Sequence, residues 1–283
     1  MRRGKLHSVQ IPHDQNIMLI VRGDDFGMTQ GSLVAFEQAF NEGVLTCASI
    51  IVCAPWFEGV VDLCQRYPQW CVGVHLSLVG EWRGYRWRPV LPWDYVASLV
   101  DKDGFLYQFP NELWNHKPKI EDIDVELRGQ INLALDKGLD IQYFDTHYMG
   151  SSSYPGLAGI LDRISNEYNL PRSGTLGENP TGSIYQAPID QKTKMASQML
   201  EELNPGLWLW GVHPGIDSPE QNALIHTKPA DVFVGEGVGK HRAAETAAVT
   251  SIEVRSVIMR RGIQLTSYRE LREGKLKKAA GRK

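Results

Sequence analysis

Long hydrophobic runs are missing from this chain of 283 residues. No segment approaches the roughly 20 consecutive apolar residues that a membrane-spanning helix requires, so no helical span is expected. The first residues carry no apolar signal region, and the expected location is the cytoplasm. A surplus of one charge is missing too. The formal net charge is −3, which offers no field for nucleic acid. Cysteine is scarce, at four residues. Cys47, Cys53, Cys64 and Cys71 lack the paired two-residue spacings of zinc modules, and three of them sit among apolar neighbours. Reduced core thiols are expected rather than disulfides or a thiolate metal site.

What is present is ample apolar material, 42% of residues, enough for one large domain over residues 1–283 with a basic, solvated tail over 272–283. Apolar runs near 17–22, 46–53, 72–76, 141–145, 207–212 and 263–267 read as strands. Between them lie segments of helical period, such as Ile123-Val125-Leu127-Ile131-Leu135,. Strands without polar alternation suit a parallel sheet covered on both faces. Six to eight such βα units predict an α/β fold of the (β/α) barrel type, TIM-barrel-like but distorted or incomplete.

Polar residues stand where several of these runs end. Ile17-Met18-Leu19-Ile20-Val21 breaks into Arg22-Gly23-Asp24-Asp25-Phe26-Gly27. Adjacent carboxylates repel unless a cation or a shared proton relieves them, so Asp24 and Asp25 point to a metal site or an acid/base site. A polar loop entering a helix is the plainer alternative for that pair taken alone. His75 ends Val72-Gly73-Val74, His147 follows Phe144-Asp145-Thr146, and His213 follows Trp210-Gly211-Val212. The remaining histidines, His7, His13, His116, His226 and His241, lie in polar or breaker-rich surroundings. Side chains at the carboxyl ends of parallel strands are how a β/α fold assembles a site.

Between residues 79 and 118 the βα rhythm stops, giving an aromatic-rich insertion after the third strand. It holds Trp82, Tyr85, Trp87, Trp93, Tyr95, Phe105, Tyr107, Phe109 and Trp114. A loop that long in a compact domain is usually functional or mobile. The stretch is expected to form part of the substrate rim, with Trp82, Trp87 and Trp93 as candidate substrate contacts, at least one of which lines the cleft. A satellite apolar cluster, or a contact between copies in a homodimer, is the alternative. A second irregular stretch, from Arg172 to Ala187, is expected at the same rim, with Arg172 as a substrate contact.

The run Arg22-Gly23-Asp24-Asp25-Phe26-Gly27-Met28-Thr29, followed by Gly43-Val44-Leu45-Thr46, resembles the opening of the YdjC-like carbohydrate deacetylases. Gly73-Val74-His75-Leu76-Ser77-Leu78, Phe144-Asp145-Thr146-His147, His213-Pro214-Gly215 and Gly262-Ile263-Gln264-Leu265-Thr266 follow in that family's order. The resemblance implies a distorted barrel that removes acetyl groups from N-acetylated amino sugars with one divalent metal ion. It implies Asp25, His75 and His147 as the metal ligands, Asp24 as general base and His213 as general acid. One departure is that Tyr148, Met149 and Gly150 stand where members of the family often carry further histidines.

Amide hydrolysis needs an activated water, a stabilised oxyanion and a proton for the departing nitrogen, and this residue set can supply all three. Asp145 is the expected partner behind His147. Two imidazoles and a carboxylate suit zinc, iron or cobalt, and magnesium stays open. A small carbohydrate is the implied partner. Two rivals are a metal-dependent sugar isomerase or aldolase and a non-catalytic sugar-binding protein. The first would need a phosphate loop, for which Val234-Gly235-Glu236-Gly237-Val238-Gly239 is the nearest candidate.

Overall fold

The structure is a computed structural model that describes residues 16–149, 153–226 and 237–274. The first residues, most of the basic tail and the Val234–Glu236 part of the Gly-rich stretch lie outside the described residues.

Strands β1 (Ile17–Phe26), β2 (Cys47–Ile50) and β3 (Cys71–Leu76) alternate with helices α1 (Gln30–Asn41) and α2 (Phe57–Arg66). A short strand β4 (Trp82–Arg83) and helix α3 (Pro110–Asn115) follow, then α4 (Ile120–Asp136), β5 (Ile141–Thr146), α5 (Leu157–Tyr168) and β6 (Asn179–Pro180). The remainder runs α6 (Lys192–Glu201), β7 (Gly206–Val212), α7 (Pro219–Asn222), β8 (Ile225–His226), α8 (Val238–Thr250), α9 (Ile252–Arg261), β9 (Gln264–Leu265) and α10 (Tyr268–Arg272).

The main sheet orders its strands β5-β3-β2-β1-β7-β6, with β9 also paired to β1, and these pairings are parallel. The result is an α/β fold with a parallel half-barrel sheet. The segment after α5 spans its two edges. Phe144 on β5 hydrogen-bonds to Pro171 and Ser173, while β6 pairs with β7. The stretch from Arg172 to Ala187 is irregular there, as expected, and Gly174, Gly177 and Pro180 punctuate it,.

Residues Leu19, Ile20 and Val21 of β1 are fully buried, as a central strand covered on both faces requires. Helix α4 buries Ile123, Leu127, Ile131 and Ala134, the stripe that a 3.6-residue period places on one face. Thr29 starts α1 with a capping box shared with Ser32,. All four cysteines are free thiols, with Cys47 and Cys71 buried.

The stretch between β3 and α4 has little regular structure, yet it is packed. Val96, Leu99, Leu106 and Leu113 are buried in the main core. Helix α4 also holds it by polar contacts: Glu126 accepts the N–H groups of Val90 and Leu91 at 2.9 and 3.1 Å, and Gln130 accepts from Ser77 N at 2.9 Å. Such bonds supply partners that an irregular backbone cannot find in a ladder.

Candidate metal and catalytic centre

The carboxyl end of β1 is bent where its pairing with β2 shifts register between Gly23 and Phe26. A bulge of this kind re-aims side chains. Asp25 adopts a left-handed backbone, φ 66°, a conformation that aspartate tolerates better than most residues. Gly23 is required here by close approach, since a Cβ would stand 2.6 Å from the Phe36 ring. The two carboxylates consequently reach different neighbours.

Asp25 is 2% exposed. Arg242 from α8 donates through Nη2 to its Oδ2 at 2.6 Å. Its Oδ1 has no hydrogen-bond partner and lies 3.1 Å from His147 Nδ1 and 3.6 Å from His75 Nε2. Burial pushes this carboxyl up, but Arg242 and His147 outweigh it and hold the group well below the usual carboxylate range,. Asp25, His75 and His147 each offer a ligand atom, all within 4.8 Å of one another. An orphaned buried carboxylate oxygen facing two imidazoles is a donor set that could hold a divalent cation,.

Register explains how the histidines arrive. His75 and Asp145 are direct partners across the β3–β5 pairing, and Asp145 Oδ1 sits 2.8 Å from His75 Nδ1. Asp145 therefore backs His75, not His147 as the sequence suggested, because cross-strand register outranks proximity along one strand. The carboxylate behind His147 is Glu81, whose Oε2 lies 2.9 Å from Nε2. Burial alone would lower the His147 pKa, yet Glu81 and Asp25 push it up to about 10.

Asp24 faces the other way. Arg22 grips it bidentately, Nε to Oδ1 at 2.6 Å and Nη2 to Oδ2 at 2.7 Å. The same guanidinium reaches Asp145 Oδ2 at 3.0 Å and Ser173 Oγ at 2.6 Å. Asp24 still comes within 4.8 Å of His75 and Asp145. A carboxylate has about four acceptor sites, and the clamp from Arg22 uses two of them.

His213 follows β7 directly. Its backbone N–H donates to Glu245 Oε2 at 2.7 Å, and its Nδ1 lies 3.5 Å from the same oxygen. The fully buried Lys192 holds the other oxygen at 3.1 Å. Burial lowers the His213 pKa, but the Glu245 charge overcomes this and raises it. Arg242 and Glu245 stand three residues apart on α8, so one helix face serves both sides of the centre.

The structure thus brings Asp24, Asp25, His75, His147, Asp145 and His213 together. The four expected rim residues are placed differently from one another. Trp82 and Trp87 are 1% and 3% exposed. Trp82 lies beneath Arg242, its ring 5.8 Å from the guanidinium, and the Trp87 ring stands 6.0 Å from that of His147. They are walls of the centre because large aromatic surface is most stable out of water. Trp93 is 57% exposed and stands beside Gly104. Arg172 turns toward Asp162 of α5, at 3.5 Å. In the described part of the Gly-rich stretch, Gly239 N–H already donates to Asn222 Oδ1 at 3.1 Å, which occupies a donor that a phosphate would need.

Sequence reasoning missed Glu81, Arg242, Glu245 and Lys192. The chain is similar to a carbohydrate deacetylase of Brevibacillus brevis, 28% identical over 261 residues that cover 89% of this chain and 99% of the relative. A carbohydrate deacetylase of Enterococcus faecalis is 25% identical over 264 residues, covering 90% and 98%. Its fold is similar to the crystal structure of an Enterococcus faecalis protein provisionally assigned to cellobiose-phosphate cleavage, with a TM-score of 0.74, 22% identity and coverage of 90% and 99%. The family model described as YdjC-like protein matches residues 18–260, a span that contains every residue of the centre, and on that match the chain belongs to the YdjC-like family.

Proposed function

We propose that this protein is a metal-dependent carbohydrate deacetylase that hydrolyses the acetamido group of N-acetylated amino sugars. The observation that carries the reading is the unpartnered Oδ1 of Asp25 between two imidazoles. The carbohydrate deacetylases among its relatives supply the substrate class.

In this reading Asp25, His75 and His147 hold one divalent ion, zinc or magnesium. When bound, the ion supplies Lewis acidity to the acetyl carbonyl and to the attacking water. Asp24 accepts the proton of that water as it adds to the acetyl carbon, and Arg22 keeps the carboxylate in place. His213 then gives a proton to the sugar nitrogen as the carbon–nitrogen bond breaks, releasing acetate and an amine. Glu245 stabilises the charged imidazole between turnovers, and Lys192 keeps Glu245 ionised in a buried position. Trp82 and Trp87 exclude water from the ligands, and the exposed Trp93 is the member of the aromatic stretch available to stack on a sugar ring.

The test is metal analysis of the purified protein, followed by acetate release from N-acetylated mono- and oligosaccharides with zinc, magnesium, cobalt or iron supplied. Acetate release that chelation abolishes and metal restores is the expected result. No release with any of these ions overturns the reading.

A further inference from the structure

We propose that Glu81 is a positioning residue that sets which nitrogen His147 presents to the ion, so that the two histidine ligands bind through different ring atoms. This rests on the metal centre described above and goes beyond it. His75 is backed at Nδ1 by Asp145, 2.8 Å away, and turns Nε2 toward Asp25 Oδ1. His147 is reversed: Glu81 backs Nε2 at 2.9 Å, and Nδ1 faces Asp25 Oδ1 at 3.1 Å.

An imidazole that binds an ion has given up one proton, so one nitrogen keeps its N–H and the other carries the lone pair. A carboxylate on one nitrogen accepts the N–H and so fixes the lone pair on the other. His75 therefore ligates through Nε2 and His147 through Nδ1. The two rings meet edge to face, with centroids 5.1 Å apart and planes at 67°.

Glu81 is itself 3% exposed, and a polar side chain so deeply buried needs a hydrogen-bond partner, which His147 Nε2 supplies,. The backbone on either side holds it still. Gly80 N–H donates to Tyr107 O at 2.9 Å, and Gln108 Nε2 donates to Glu81 O at 3.3 Å. The stretch after β3 thus delivers one carboxylate to the centre, a role that its aromatic composition conceals.

Two measurements on the full chain test this. The first is a long-range 15N–1H spectrum of the imidazoles in the zinc-loaded wild type, expected to show a protonated Nε2 and a metal-shifted Nδ1 at His147, with the reverse at His75. The second is zinc affinity, by competition with a chromophoric chelator, for wild type, Glu81→Ala and Glu81→Gln, with circular dichroism to verify folding. Glu81→Ala is expected to lose about 10–100-fold in affinity. Glu81→Gln, whose amide oxygen still accepts the N–H, is expected to recover part of it. Zinc bound through Nε2 of His147, or Glu81→Ala binding zinc as tightly as wild type, overturns the role of Glu81 while leaving the metal centre standing. A wild type that takes up none of zinc, magnesium, cobalt or iron overturns both.

Discussion

Arg242 holds Oδ2 of Asp25 at 2.6 Å, and both side chains are almost completely buried. The guanidinium thereby fixes which carboxylate oxygen turns to the histidines. It is also the counter-charge that makes an ionised Asp25 tolerable in the interior. Arg242→Met should therefore destabilise the metal-free protein by about 3–5 kcal/mol, the usual consequence of leaving one partner of a buried pair behind. A divalent ion should raise Tm more in the variant than in wild type, because it replaces the missing positive charge. Thermal unfolding with and without zinc checks this, and an unchanged metal-free Tm would contradict it.

The two adjacent aspartates should separate cleanly. Asp24→Asn keeps the shape and the contacts to Arg22 Nη2 or Nε through its amide oxygen, but it accepts a proton poorly. It should retain metal and lose about 10²–10⁴-fold in turnover. Asp25→Ala should lose metal and activity together. Metal content and steady-state rates on both variants decide the matter, and a fully active Asp24→Asn protein would remove Asp24 from the role of base.

His213 must be protonated to serve as an acid, so activity should fall as pH rises through its pKa. The Glu245 charge, outweighing burial, raises that pKa and extends activity upward in pH. Glu245→Gln removes the charge, and the alkaline limb of the kcat/KM profile should move to lower pH. A limb that stays in place in this variant would assign it to another group.

The tryptophans should divide by burial. Trp87→Ala should destabilise the fold by about 3–5 kcal/mol, as expected for truncating a buried aromatic. Trp93→Ala should change stability by no more than about 0.5 kcal/mol and raise KM with kcat little changed. Denaturation and steady-state kinetics measure the two effects, and a Trp93→Ala protein with wild-type KM would exclude this side chain from the substrate rim.

Much of this centre was legible in the sequence because β1, β3, β5 and β7 are apolar runs that end in polar residues. Strand ends of that kind announce both the sheet and the place where ligands gather. Glu81 was hidden in a stretch dominated by aromatic and glycine residues. Arg242 and Glu245 were hidden by ordinariness, since a basic and an acidic residue three apart on a helix read as a solvated pair. Only packing of α8 buries them, and the same packing buries His241, whose neighbours along the chain are polar. Asp145 was expected behind His147 because strand alternation was visible and cross-strand register was not. The shortest strands, β6 and β9, span two residues each, too few to carry any period.

Asp25 and Arg242 are 217 positions apart in the chain, and this separation orders the birth of the centre. Synthesis runs from the N-terminus, so Asp25, His75 and His147 leave the ribosome well before α8 exists. Until α8 docks, the Asp25 carboxylate lacks the guanidinium that lets it be ionised in the interior, and contacts so distant in sequence form slowly. The surroundings of Asp25 are thus incomplete until α8 docks, after the strands that carry Asp25, His75 and His147 have been synthesised.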